Sequence, residues 1–453
     1  MRLAPVLPLP DTALIAVLAA ASLGALLSCA LLAPALFWLL PPAATAAAIL
    51  FLAFRFTPVL TAAWLLIAAA TVEMTAADLL GEAYFQPTIA LVKGIGLGLA
   101  AVAALRYGPR LDLFNPAFAW LAMFASGLSH GLWPGLTTAD SLRSLIGSVA
   151  PFAFGFSKLS PGWATAVIRA TVWAPLLSIA IGAICYAAGI RPLFIDSGGL
   201  RLAGLGHPAF LASVTETAAY ACLVELYRYG RRSDLFLLGA NLLLLLLTGA
   251  RAPLSLALAV MGLSLLLVRS VTFPARYRLV LVLAGISTLP LAAMMVFGLV
   301  PSGASVVRAF QIVTVNPGDL SGRELLWPNF ESAAANSPWL GWGVGAGNAI
   351  IPPNAPVARL LQTWAAHNEY LRVEVEGGQI GRALLIGMLF LWVRGHTRRL
   401  CPSDRTVMRL AFVALAVHAF TDNMLISTPA CVLFTFAVAV FARGAWEHAQ
   451  QPA

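Results

Sequence analysis

His367 and Asn368 stand where a polar loop runs into an apolar helix, and His367 is one of only 6 histidines among 453 residues. An imidazole with a reference pKa of about 6.5 is substantially neutral near pH 7, so at that depth it can take a proton from a hydroxyl at the membrane boundary. Arginines supply the second half of a possible reaction. Arg251 lies in Thr248-Gly249-Ala250-Arg251-Ala252-Pro253, a turn between two strongly apolar segments that is too short to let the charge wander into water. A bare guanidinium there is costly unless paired or hydrated. Its planar fork suits phosphate oxygens, and interfacial snorkelling is the other reading the spacing allows. Arg323, in Ser321-Gly322-Arg323-Glu324, is read either as a further anion ligand or as a surface residue paired with Glu324. A base together with guanidinium groups fits transfer of a group from a phosphate leaving group to a hydroxyl, because preorganised donors offset the charge that the leaving group gains.

These residues must be positioned by helices in a membrane. With 60% hydrophobic residues, 10% charged residues and a mean hydropathy of +0.86, the chain cannot be wrapped into a soluble globule with a polar exterior. Apolar runs long enough to cross the hydrocarbon layer recur to residue 443, and helices satisfy the backbone of such runs internally. The expected fold is all-α, a polytopic integral membrane protein with about 12 crossings. The first apolar run, after Met1-Arg2, lacks a convincing cleavage site and is read as a retained helix. Between residues 300 and 367 the apolar continuity gives way to prolines and glycines, which marks one large extramembrane loop. The expected organisation is therefore N-terminal helices over 1–300, the loop over 301–366, and C-terminal helices over 367–453.

Short loops rich in Arg stay preferentially in the cytoplasm. Arg106 with Arg110, Arg228 with Arg231 and Arg232, Arg269 with Arg276 and Arg278, and the run from Arg394 to Arg409 form one such set, which sends the 301–366 loop and His367 to the outer face. Arg191, Arg201, Arg251, Arg308, Arg323 and Arg359 then lie where positive charge should be depleted, and an anion site there accounts for them. The excess of Arg over Lys, 26 to 2, follows composition, but the location does not.

Other features are assigned by weighing chemistry against packing. Gly94, Gly96 and Gly98 lie inside an apolar run and are read as helix-packing positions rather than a phosphate loop. Gly341, Gly343, Gly345 and Gly347 fit either a flexible loop or backbone amides near a phosphate or acceptor. His418 and Asp422, one helical turn apart, are read as a bundle-packed histidine and a helix-end cap rather than a proton relay. Glu374 and Glu376 are placed to orient Arg372 or Arg382, and Glu216 and Glu225 to pair with arginines of neighbouring helices. The five cysteines suggest neither a disulfide nor a zinc site, and no Asp-x-Asp or ATP-binding loop appears, so no metal, no cofactor and no nucleic acid is expected.

The residues resemble a family. His367-Asn368, a nine-residue gap, then Gly378 and Gly381 resemble the signature of the bacterial O-antigen ligases, whose superfamily also holds O-antigen polymerases and protein O-oligosaccharyltransferases. The resemblance extends through Ser321-Gly322-Arg323, Trp327, Pro338-Trp339-Leu340-Gly341-Trp342-Gly343-Val344-Gly345 and Arg251, with Ala250 where the family often has Ser. It implies a membrane glycosyltransferase fold with a periplasmic loop over a cavity, in a bacterial inner membrane. The implied reaction moves a polymerised glycan from undecaprenyl pyrophosphate to lipid A-core oligosaccharide. His367 would match the essential histidine, and Arg251 and Arg323 the arginines on the pyrophosphate, joined by Arg191 and Arg201. Asn368, Gly343 and Gly345 would line the substrate site. A polysaccharide or lipid flippase is the non-enzymatic alternative, and it should place charge along a path at mid-bilayer rather than at one face.

Overall fold

The computed structural model describes residues 40–196, 200–268, 325–352, 354–361 and 363–450. Arg323 and the candidate spans near residues 12–32 and 276–300 lie outside the described residues. The chain divides into two units, Met1–Thr57 and Pro58–Ala453. Within the first, Leu40–Arg55 is helical (α1). The second carries α2 (Thr57–Ala70, its first residue in the preceding unit), α3 (Val72–Leu80), α4 (Phe85–Tyr107), α5 (Ala117–His130), α6 (Thr138–Val149), α7 (Pro161–Ala187) and α8 (Pro208–Tyr229). It continues with α9 (Arg232–Leu247), α10 (Arg251–Leu267), α11 (Trp327–Asn336), α12 (Pro356–Leu361), α13 (Glu369–Thr397), α14 (Pro402–His418) and α15 (Thr428–Gln450). A short antiparallel hairpin, β1 (Phe194–Asp196) with β2 (Leu200–Leu202), pairs Ile195 with Arg201.

The chain is thus mostly helical, as the composition predicts. Among the described residues four helices, α4, α7, α8 and α15, are long and apolar enough to cross a membrane. The rest are shorter, or interrupted by charge as α13 is.

Helix α8 is the hub, packed against α7, α9, α10, α14 and α15. Its Ala212, Ser213, Thr215, Ala218, Ala219 and Ala221 keep the backbone narrow enough for such close approach, and all are buried. Gly96 serves the packing role expected of it, since a Cβ there would drive into the Trp64 ring. The segment read as an extramembrane loop builds a small core from Leu326, Phe330, Ala333, Ala346, Ile351 and Ala358, and shares it with Val375 of α13.

Helix α13 is broken at Gly378, whose φ of 61° and ψ of −167° belong to glycine alone. An unbroken helix would bond the N–H groups of residues 379 and 380 to the carbonyls of 375 and 376. The loop takes over all four groups. Gln379 and Ile380 donate to the carbonyls of Pro338 and Trp339 at 2.8 and 3.2 Å, while Trp342 and Gly343 donate to Val375 and Glu376 at 2.8 and 2.9 Å. Such an exchange demands backbone-to-backbone contact. A Cβ on Gly341 would stand 2.5 Å from the backbone of Glu376 and Gly377, and one on Gly378 would strike the Trp339 carbonyl.

Gly378→Ala is expected to cost about 3 kcal/mol, from the disallowed backbone and the lost loop seat. Gly387→Ala, a position on the same helix with open space around it, should be neutral or slightly stabilising. Thermal unfolding in detergent compares them, and equal melting temperatures would remove the docking argument.

Candidate active site

His367 is held in the left-handed region, φ 46°, two residues before α13 begins. Asn368 caps the helix, its Oδ1 accepting from the Leu371 N–H at 3.1 Å. A non-glycine residue with positive φ persists only where its surroundings dictate it. Here they do so at both nitrogens of the ring. Nδ1 lies 3.0 Å from Asp422 Oδ1, and Nε2 lies 2.9 Å from Thr363 Oγ1. An ionised carboxylate can only accept, so Nδ1 carries the proton of the neutral ring. The Thr363 hydroxyl then donates to the lone pair on Nε2. Imidazole and carboxylate are both half-buried, with side-chain exposures of 20% and 25%, so the pair meets solvent at one edge.

The Asp422 turn is anchored from several directions. Glu369 N–H donates to the Ala419 carbonyl at 2.8 Å, Tyr370 Oη donates to the Ala416 carbonyl at 2.8 Å, and Leu425 N–H donates to Glu369 Oε2 at 3.4 Å. Lys93, reaching in from α4, donates to the Ile426 carbonyl at 2.5 Å, and Thr428 Oγ1 donates to Glu73 at 2.6 Å. On the loop side, Trp327 Nε1 donates to the Ala366 carbonyl at 2.9 Å. Asp422, expected as a helix-end cap, is therefore a direct partner of His367. His418 packs in the bundle as expected, 3.1 Å from Glu216.

Beneath His367, Arg372 is buried between Glu369 and Glu376, bonded to the first and 2.8 Å from the second, with its guanidinium 5.1 Å over the Trp120 ring. Glu374 pairs with Arg382, and Glu225 lies 2.5 Å from Arg443. The carboxylates singled out on α13 thus do orient its arginines.

The expected anion ligands fall into a second group. Arg251 opens α10, two residues after Gly249 at φ 64°. Arg201 Nε donates to the Thr248 carbonyl of that same turn at 2.8 Å, which fixes Arg201 to the turn that precedes Arg251 although 47 residues separate the bonded pair. Arg191 is buried and committed elsewhere, with Nη2 donating to the Gly206 carbonyl at 2.8 Å and Nη1 2.8 Å from Asp78. It fastens α3 to the turn before α8. Gly343 has given its N–H to Glu376, and a Cβ on Gly345 would stand 2.6 Å from Ser144 Oγ, so the glycine segment is packed tightly rather than loose. Among the described residues no three His, Cys, Asp or Glu side chains cluster to hold a metal ion.

Residues 235–386 match a family model described as O-antigen ligase. That range runs from α9 into the second half of α13 and takes in Arg251, the glycine segment, His367 and Gly378. No curated protein matches the chain.

Removing one partner of a buried ion cluster leaves an uncompensated charge. Arg372→Met is expected to cost about 4 kcal/mol, and Glu369→Gln with Glu376→Gln in the same chain should recover most of it. Unfolding of the single and triple variants measures this, and a triple variant no better than the single one would show that shape, not charge, sets the role of Arg372.

Proposed function

We propose that this chain, which carries an O-antigen ligase family domain over residues 235–386, transfers a polymerised glycan from undecaprenyl pyrophosphate to lipid A-core oligosaccharide. The observation that carries the reading is the hydrogen-bonded row Asp422, His367, Thr363. It turns the unprotonated Nε2 toward a hydroxyl, and an acceptor sugar hydroxyl replaces that of Thr363 in the reactive complex. Nε2 takes the proton, the acceptor oxygen bonds to the anomeric carbon, and the bond from that carbon to the pyrophosphate oxygen breaks. Asp422 stabilises the imidazolium that results. One base and one leaving-group clamp need no covalent intermediate, so the anomeric centre inverts.

Arg251 and Arg323 are proposed to offset the charge gathering on the leaving pyrophosphate, with Arg201 holding the Arg251 turn in place and contributing its own charge. Arg191, taken up by Asp78 and the Gly206 carbonyl, is left a structural role in the turn before α8. Asn368 orients His367 by capping α13, and Gly343 and Gly345, packed against Gly127 and Ser144, keep the glycine segment seated on that helix. No step calls for a metal ion or a cofactor. The arginine distribution along the chain supports an active site on the periplasmic face of an inner membrane, beneath a large loop.

His367→Ala is expected to lower transfer about 10²- to 10⁴-fold, and Arg323→Ala or Arg251→Ala about 10²-fold or more. Asp422→Asn should reduce turnover with little change in acceptor KM. Purified protein would be mixed with the lipid-linked glycan and lipid A-core, without metal or nucleotide, and the joined product resolved on a gel. Full transfer by His367→Ala would refute the assignment. A glycan that lengthens on its own lipid carrier, with no product on lipid A-core, would identify the O-antigen polymerase reaction instead.

A further inference from the structure

Helices α13 and α14 leave an open groove of about 470 Å³ between them, which runs from Glu369 and Tyr370, close to the proposed reaction centre, to Arg394 and Arg409. Its walls are apolar, formed by Leu385, Leu389, Phe390, Val393, Phe412 and Val413. Phe390 and Val413 are each 61% exposed, so the groove opens sideways, where lipid chains would lie in a membrane. Arg394 and Arg409 line one end. Arg409 Nε donates to Thr397 Oγ1 at 3.1 Å, which draws its guanidinium to the last turn of α13, where Arg394 also sits. Among the described residues neither arginine has an acidic partner. The carboxylate nearest in sequence, Asp404, is taken by Arg228 at 2.7 Å and Arg443 at 3.2 Å.

We propose that this groove is a binding site for an anionic phospholipid, with an acyl chain along the apolar walls and the phosphate between Arg394 and Arg409. Charge complementarity selects the occupant. The two guanidinium groups lie in the field of carbonyls at a helix C-terminus, which holds cations there and leaves their outer donors to an oxygen anion. Length agrees with the choice. From Arg382 to Arg394 the helix rises about 18 Å, close to the depth of one leaflet in a hydrocarbon layer of about 30 Å. The end of the groove nearest His367 is lined by Glu369 and Tyr370, which offer a diphosphate no cation except one already bonded to Glu374, Arg382. The phospholipid thus belongs to the opposite end of α13 from the proposed chemistry, and its acyl chain would brace the C-terminal half of that helix against α14.

The test is competition for the purified full chain. Protein in detergent is exposed to equal amounts of phosphatidylglycerol and phosphatidylcholine, and bound lipid is counted by native mass spectrometry. Phosphatidylglycerol should be retained about ten-fold over phosphatidylcholine, as two guanidinium groups at a lipid phosphate provide. Arg394→Gln with Arg409→Gln should abolish the preference. Arg398→Gln, an exposed arginine of the same basic run that does not line the groove, should preserve it. Equal retention of the two lipids by the unaltered protein overturns the proposal, as does an undiminished preference in the double variant. Displacement of phosphatidylglycerol by farnesyl pyrophosphate would assign the groove to a prenyl donor and overturn it too. None of these outcomes depends on transferase activity, so the proposal stands or falls apart from the reaction assigned above.

Discussion

Four backbone hydrogen bonds at the Gly378 break connect the loop to α13, and the arrangement of the site depends on them. Buried amides and carbonyls must be paired, so a helix broken inside the protein is tolerated only if another segment supplies its missing partners. Residues 338–343 do so in both directions, donating two N–H groups and accepting two. The loop is thereby set at one height along α13. The small core built on Leu326, Phe330 and Ala346 grows from that seat, and Trp327 in turn bonds the strand of chain just before His367. A glycine at either side of the contact is a requirement of distance, since neither backbone could approach the other past a Cβ.

A second constraint acts on the imidazole itself. His367 pays for its left-handed backbone with a helix cap on one side and two ring hydrogen bonds on the other. The carboxylate at Nδ1 fixes the tautomer, and the buried row Glu369, Arg372, Glu376 fixes the helix start from below. Lys93 and Glu73 hold the far side of the Asp422 turn. Charged groups at such depth are costly unless paired, and pairing them across α4, α13 and the turn before α15 makes the site rigid where its geometry matters.

Helical class, membrane character and the start of α13 are legible in the chain because they rest on local pattern: apolar length, an Asn cap, a proline-rich gap. The pairing of Glu374 with Arg382 and of Arg372 with its neighbours is legible for the same reason, being set by helical spacing. The number of crossings is less so. Helices such as α9 and α10 are apolar but short, and length alone does not say whether they cross or pair.

What the sequence by itself determined is the helical, apolar class of the protein and the residues proposed for chemistry, a histidine before a helix and arginines far from it in the chain, since composition and residue chemistry need no partner to be read. Only the tertiary structure brought Asp422 to His367, 55 residues away, placed Arg201 at the Arg251 turn, and turned the glycine segment from a loop into the missing partner of a broken helix. Those contacts depend on how helices stack and where backbones can touch. Periodicity along one segment carries no record of which distant segment will meet it.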